Sequence, residues 1–251
     1  MKKIVHYFVL VAFALLVSCE GKSEAGLSGG AGTGGSMARF TVAGNQLYIV
    51  TNTSLKTYDI ANSENPKTGQ KTQLSLSGNG AETIFPYKNH LFIGTQTGMY
   101  IFNVENPDQP RQVSFYQHVV SCDPVVVQGN YAYVTLRGGT TCRNSLANSL
   151  DVVDISNLSL PKLVKSYPMT GPYGLGVDGN RLFVCEGSSG LKVFDNSNPL
   201  DLKLIEEIKD IQTYDVIPKN KTLIVTGKDG IFQYSYQDGK TLKLLSQLKV
   251  G

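Results

Sequence analysis

The phrase LDVVDISNLSLPK at residues 150–162 is one of four variants of the same sentence; the others are LKTYDIANSENPK from Leu55, MYIFNVENPDQPR from Met99 and LKVFDNSNPLDLK from Leu191. Internal repetition constrains a fold more tightly than local propensity does. Each copy must form one structural unit, and it can bury its apolar surface only by stacking on its neighbours. A Gly-Asn pair sets the register: VAGNQLYIV, YKNHLFIG, VQGNYAYVT, VDGNRLFVC and a looser PKNKTLIVT. Leu47, Leu91, Ala132, Leu182 and Leu223 then align at spacings of 44, 41, 50 and 41 residues, so five copies fill residues 37–251.

Every copy contains four short segments. A first strand meets a two-residue Gly-Asn turn, whose positive φ suits a tight hairpin. The second strand (LYIV, LFIG, YVTL, LFVC or LIVT) is apolar on both sides, which predicts cover on both faces. The third ends in Asp59, Asn103, Asp154 or Asp195. It is followed by Asn62, Asn106, Asn157 or Asn198, whose side chain can bond its own backbone in an Asx turn, and by Pro66, Pro110, Pro161 or Pro199, which fixes φ. A fourth strand, such as RQVSFY or KLVKSY, closes the unit. Four antiparallel strands repeated five times and apolar on both faces predict an all-β fold, a five-bladed β-propeller of four-stranded blades. A β-helix would repeat at half this period or less, and a sandwich gives no reason for five copies.

The phrases LDVVD, LKVFD and LKTYD with their trailing Asn and Pro resemble the LVIVD repeat family. The likeness extends over the whole repeat region, is strong in copies three and four, and is weakest in copy five, where IFQYSYQDG has lost the Asp and the Asn-Pro pair. The resemblance implies a β-propeller in a bacterial secreted or lipid-anchored protein, and no established activity.

The first 19 residues agree with that address. Lys2 and Lys3 precede an apolar run from Tyr7 to Val17, too short for a spanning helix and typical of a secretory signal. Leu16-Val17-Ser18-Cys19 resembles the lipobox of bacterial lipoproteins, in which the chain is cut before the cysteine and the cysteine is acylated. Residues 1–18 are therefore expected to be a lipoprotein signal peptide. Residues 19–36 are expected to be a lipidated Cys19 followed by a Gly/Ser-rich tether spanning roughly 20–25 Å, and 37–251 the propeller. This places the chain in the cell envelope, at the outer membrane, facing the periplasm or the surface. Loss of Lys2 and Lys3 lowers the formal charge from +3 to +1, so no basic surface for nucleic acid is expected.

Because the strands alternate in direction, the Gly-Asn and Asn-Pro turns share one face, and the more variable connections share the other. The variable face carries the longest loop, 137–149, and the candidate ligand-binding residues Glu82, Asp123, Arg137, Tyr173, Tyr214, Asp215 and Lys228. Cys122 and Cys142 belong to that same face, and in an oxidising compartment they are expected to form a disulfide. Cys185 lies within a second strand and is expected to be a buried thiol. Neither a metal site nor a cofactor is expected, and no catalytic residue is assigned. The main reading is a binding or protein-interaction module that takes a protein, small-molecule or glycan ligand on the loop-rich face. A carbohydrate-active enzyme is the alternative, because Glu82, Asp123 and Asp215 are positioned to converge near the axis and glycoside hydrolysis needs two carboxylates at a defined separation. A structural envelope component is the third.

Overall fold

A computed structural model of the chain describes residues 35–73, 80–117, 124–139, 148–237 and 241–250. Cys19, Cys122, Asp123 and Cys142 lie outside them, as do residues 1–18, the expected signal peptide.

Twenty strands form five four-stranded antiparallel sheets arranged as a five-bladed β-propeller. Blade 1 holds β1 (Phe40–Ala43), β2 (Gln46–Val50), β3 (Ser54–Asp59) and β4 (Lys67–Gln73). Blade 2 holds β5 (Ala81–Tyr87), β6 (His90–Thr95), β7 (Gly98–Asn103) and β8 (Arg111–Gln117). Blade 3 holds β9 (Val125–Gln128), β10 (Tyr131–Leu136), β11 (Ser149–Asp154) and β12 (Lys162–Pro168). Blade 4 holds β13 (Leu175–Asp178), β14 (Arg181–Cys185), β15 (Leu191–Asp195) and β16 (Lys203–Ile208). Blade 5 holds β17 (Thr213–Lys219), β18 (Thr222–Gly227), β19 (Gly230–Ser235) and β20 (Lys243–Leu248). Each blade is four strands consecutive in sequence, so none is stitched from both ends of the chain.

The repeated phrase works as its chemistry predicts. Asp59, Asn103, Asp154 and Asp195 accept the backbone N–H two residues on, at 2.8–2.9 Å. Asn62, Asn106, Asn157 and Asn198 do the same for Glu64, Asp108, Ser159 and Leu200 at 3.0–3.2 Å. The hairpins use positive φ at Gly44, Gly129 and Gly179, but Lys88 fills that position in blade 2, and blade 5 uses Asn220 and Lys221. The turn geometry is thus retained where the glycine is lost.

Apolar burial runs from blade to blade. Tyr48, Val50 and Leu55 of blade 1 pack on Ile84, Leu91 and Ile93 of blade 2. A larger cluster joins blades 2, 3 and 4 through Phe92, Tyr133, Val152 and Leu182. A third joins Phe183, Cys185 and Leu191 of blade 4 to Val216, Leu223 and Phe232 of blade 5. Tyr133 donates to Asn196 Oδ1 at 2.7 Å across one such junction, and Tyr236 donates to Asp178 Oδ2 at 2.9 Å across another.

The junction between blades 5 and 1 is different. The apolar second strands predict cover on both faces here as in the other blades. Instead Leu47 and Ile49 of β2 and Ile224 of β18 stay partly exposed. Phe40 is 56 % exposed, whereas its counterparts Ile84, Val125, Leu175 and Val216 are 0–2 % exposed. What spans the gap is a strap at the axis. Gly35 and Ser36, which composition assigns to the tether, are buried. Ser36 Oγ donates to Asp215 Oδ1 of blade 5 at 3.0 Å and accepts the N–H of Leu175 of blade 4 at 2.8 Å. Two residues further on, the carbonyl of Ala38 accepts the N–H of Ile84 of blade 2.

Candidate functional site

At the mouth of the ring a cavity of about 280 Å³ is lined by Met37, Arg39, Glu82, Thr83, Pro124, Arg137, Pro172 and Tyr173. Four blades contribute to it, and in each the residue arises from the same place in the repeat, at or just before the first strand or just after the second.

Glu82 is aimed into the mouth by a register shift between Ala81 and Thr83, a bulge that adds one residue to β5. Its Oε1 accepts Gln96 Nε2 at 3.0 Å. In blade 1 Arg39, one position further along the repeat than Glu82, donates to Asn52 Oδ1 at 3.1 Å. That acceptor is a neutral amide. Arg137 lies flat on the Tyr173 ring, its guanidinium carbon 3.8 Å from the centroid, a cation–π arrangement worth about 0.5–2 kcal/mol. Tyr173 in turn leans on Tyr214, the ring centroids 5.7 Å apart. Tyr214 occupies a second bulge, between Thr213 and Asp215.

The mouth therefore gathers Glu82, Arg137, Tyr173 and Tyr214, and it adds Arg39. Asp215 is nearby but engaged below. Its Oδ1 accepts Ser36 Oγ and the Val216 N–H, and its Oδ2 accepts the Met37 N–H. Burial pushes its carboxyl above the usual range, and those hydrogen bonds offset only part of the rise. Gly174 is required beside it, since a Cβ there would stand 2.1 Å from Asp215 Oδ1. Lys228 sits apart. It is exposed and lines a shallow groove on the flank of blade 5 with Phe232, Tyr234 and Gln247. Asp123 lies outside the described residues, next to the Pro124 that lines the cavity.

One positioning residue carries no catalytic motif and was not apparent as a site element. Glu186, with no solvent exposure of its side chain, accepts the N–H groups of Thr170 and Gly171 on Oε2 and meets Lys192 Nζ at 3.2 Å on Oε1. It thereby fixes the segment that delivers Pro172 and Tyr173. The only signal for it is a glutamate where the other copies have Thr51, Thr95, Leu136 and Gly227. Gly187 follows, with φ +56°, and a Cβ on it would come within 2.6 Å of the Tyr173 ring. The thiol of Cys185 is fully buried, and burial pushes its pKa far above the usual value.

The turn face is less uniform than its repetitive sequence suggests. Between blades 2 and 3, Tyr87, His90, Phe92, Asn130 and Leu158 line a second cavity of about 280 Å³. Burial lowers the His90 pKa there, Glu105 opposing and Lys88 adding to that effect. Among the described residues no group of three or more His, Cys, Asp and Glu side chains is arranged to hold a metal ion, and no helix is long and apolar enough to cross a membrane.

Blade 3 supplies the decisive stretch for relationship. Residues 121–169 match the LVIVD repeat. Strands β9 to β12 of that repeat carry Arg137 at the mouth and the Asx turns of Asp154 and Asn157 on the opposite face. Solved structures extend the likeness to the whole ring at the level of fold. The periplasmic gluconolactonase of Pseudomonas aeruginosa superposes with a TM-score of 0.61 at 14 % identity, over 83 % of this chain and 68 % of that one. The computationally designed protein Ika8 gives 0.59 at 13 %, over 84 % and 62 %. Apo AztD from Citrobacter koseri gives 0.58 at 15 %, over 82 % and 60 %. The chain thus spans about three fifths to two thirds of the length of these structures. A comparison with curated proteins finds no significant sequence match.

Proposed function

We propose that the chain is a cell-envelope lipoprotein, acylated at Cys19 and held at the outer membrane, whose propeller is a binding module acting through the mouth of the ring. The observation that carries this reading is the engagement of Asp215. Ser36 and Met37 donate to its carboxylate and Gly35 packs against it, so this acid is held by the chain's own strap beside the cavity. A hydrolase of glycosides needs two carboxylates facing a common bond. Here the Asp215 carboxylate is occupied by the strap, while Glu82 is held by Gln96 in the cavity. Recognition needs rigid aromatic and arginine anchors, which Arg137 stacked on Tyr173, and Tyr214 behind it, supply. With Arg39 and Arg137 on its wall and one carboxylate between them, the cavity suits an acidic protrusion of a partner protein.

The test is a photo-crosslinking residue at Tyr214, with the same residue at Asn106 on the opposite face as control. The Tyr214 probe should trap a partner in intact envelopes, and Arg39→Ala with Arg137→Ala should abolish trapping. Equal yields from the two probes, or a yield unaffected by the arginine changes, would reject the mouth as the working surface. Labelling with an alkynyl fatty acid tests the anchor. The wild-type chain should be labelled and Cys19→Ser should not.

A further inference from the structure

We infer that the open junction between blades 5 and 1 is a docking surface for a second copy of this chain, blade 5 of one copy against blade 1 of the next. The argument begins with the repeat. Along a series of five blades there are four junctions, and each presses the same positions together. On one side lie the counterparts of Phe40, Leu47 and Ile49. In blades 2 to 5 these are Ile84, Leu91 and Ile93; Val125, Ala132 and Val134; Leu175, Leu182 and Val184; and Val216, Leu223 and Val225, all at most 2 % exposed. On the other side lie the counterparts of Ile224 and Ile231, for example Phe92 and Met99, or Phe183 and Leu191, all at most 1 % exposed.

Among the described residues one surface of each kind is left over. Blade 1 presents Phe40, Leu47 and Ile49 on the face that would meet a preceding blade. Blade 5 presents Ile224 and Ile231, with Leu248 paired directly to Ile231 and 65 % exposed, on the face that would meet a following one. Apolar side chains left half-buried or exposed together on a sheet face are the kind of surface that a partner covers. The two are complementary, because four interior junctions of the same chain are built from that pairing. A second copy necessarily carries both halves. Face-to-face burial in the manner of the interior junctions gives a heterologous, head-to-tail contact, which continues until a ring closes or a chain of copies forms. The strap does not compete for these faces, since Ser36 and Met37 engage Asp215 at the axis and leave Phe40 and Leu248 in solvent.

Sedimentation of the full chain in detergent over a hundredfold range of concentration tests this. The wild type should show mass rising with concentration to a dimer or beyond. Phe40→Glu and Leu248→Glu should each be monomeric with unchanged circular dichroism, because both side chains are more than half exposed. Mixed together, the two variants should form a one-to-one dimer and nothing larger, since the mixture contains one intact pair of faces, blade 1 of the Leu248 variant with blade 5 of the Phe40 variant. A wild type that stays monomeric throughout, variants that associate as the wild type does, or a mixture that does not pair would each overturn the inference.

Discussion

Ser36 Oγ reaches Asp215 Oδ1 at 3.0 Å across a separation of 179 residues, and this contact joins the segment that leads into blade 1 to the last blade. It engages a carboxylate that burial has made reluctant to ionise.

Ser36→Ala should therefore cost about 1–3 kcal/mol, the range for leaving a largely buried acceptor without its hydrogen bond. Gly35→Ala should be at least as damaging, because its Cβ would fall within 2 Å of Asp215 Oδ2. Chemical denaturation of both variants checks this, and a change within experimental error in both would remove the strap from the account of ring closure.

Stability should depend on pH through Asp215. Its folded pKa is raised, so the folded state holds the proton more tightly than the unfolded chain. The contribution is full below the unfolded value of about 4 and is lost as pH rises through the folded one. Asp215→Asn, which keeps an acceptor for Ser36 and cannot ionise, should flatten that part of the profile. Tm measured from pH 3.5 to 7.5 should fall more steeply for wild type than for Asp215→Asn.

Glu186→Ala should cost about 3 kcal/mol or more, since it leaves the N–H groups of Thr170 and Gly171 without their acceptor and Lys192 without its partner. Partner trapping at the mouth should fall with it, through loss of order at Tyr173. Gly187→Ala should weaken trapping as well and cost about 1–3 kcal/mol, since alanine at φ +56° is strained and crowds the same ring.

On the opposite face Asn157→Ala should cost about 1 kcal/mol by removing the bond to Ser159 N–H, with trapping at the mouth unchanged. Urea unfolding alongside the crosslinking assay separates the two faces. A loss of trapping with stability intact would move the working surface to the turns.

Thiol counting tests the cysteines. Cys185 should resist alkylation in the folded protein because it is fully buried and its pKa is raised. After unfolding without reductant one reactive thiol should appear, Cys122 and Cys142 being joined. Three reactive thiols would exclude the bridge.

The architecture was legible because repetition is a one-dimensional record of stacking. Leu47, Leu91, Ala132, Leu182 and Leu223 recur in register, and the turn chemistry of Asp154 and Asn157 is local, needing only residues two or three apart. Much of the mouth was legible for the same reason. Glu82, Arg137, Tyr173 and Tyr214 fall at non-repeating positions of a known period. What sequence could not supply depends on residues far apart. Ser36 looked like the end of a flexible tether because its partner, Asp215, is 179 residues away, and Lys228 belonged to the rim by alignment although the three-dimensional course of blade 5 places it on the flank. The junction of blades 5 and 1 shows the limit most clearly. Alternation in Leu47, Ile49 and Ile224 states that a face is apolar, but whether another sheet reaches it depends on the curvature accumulated over five blades. Curvature is a sum of small rotations set by packing at every junction, and no single segment of sequence encodes it.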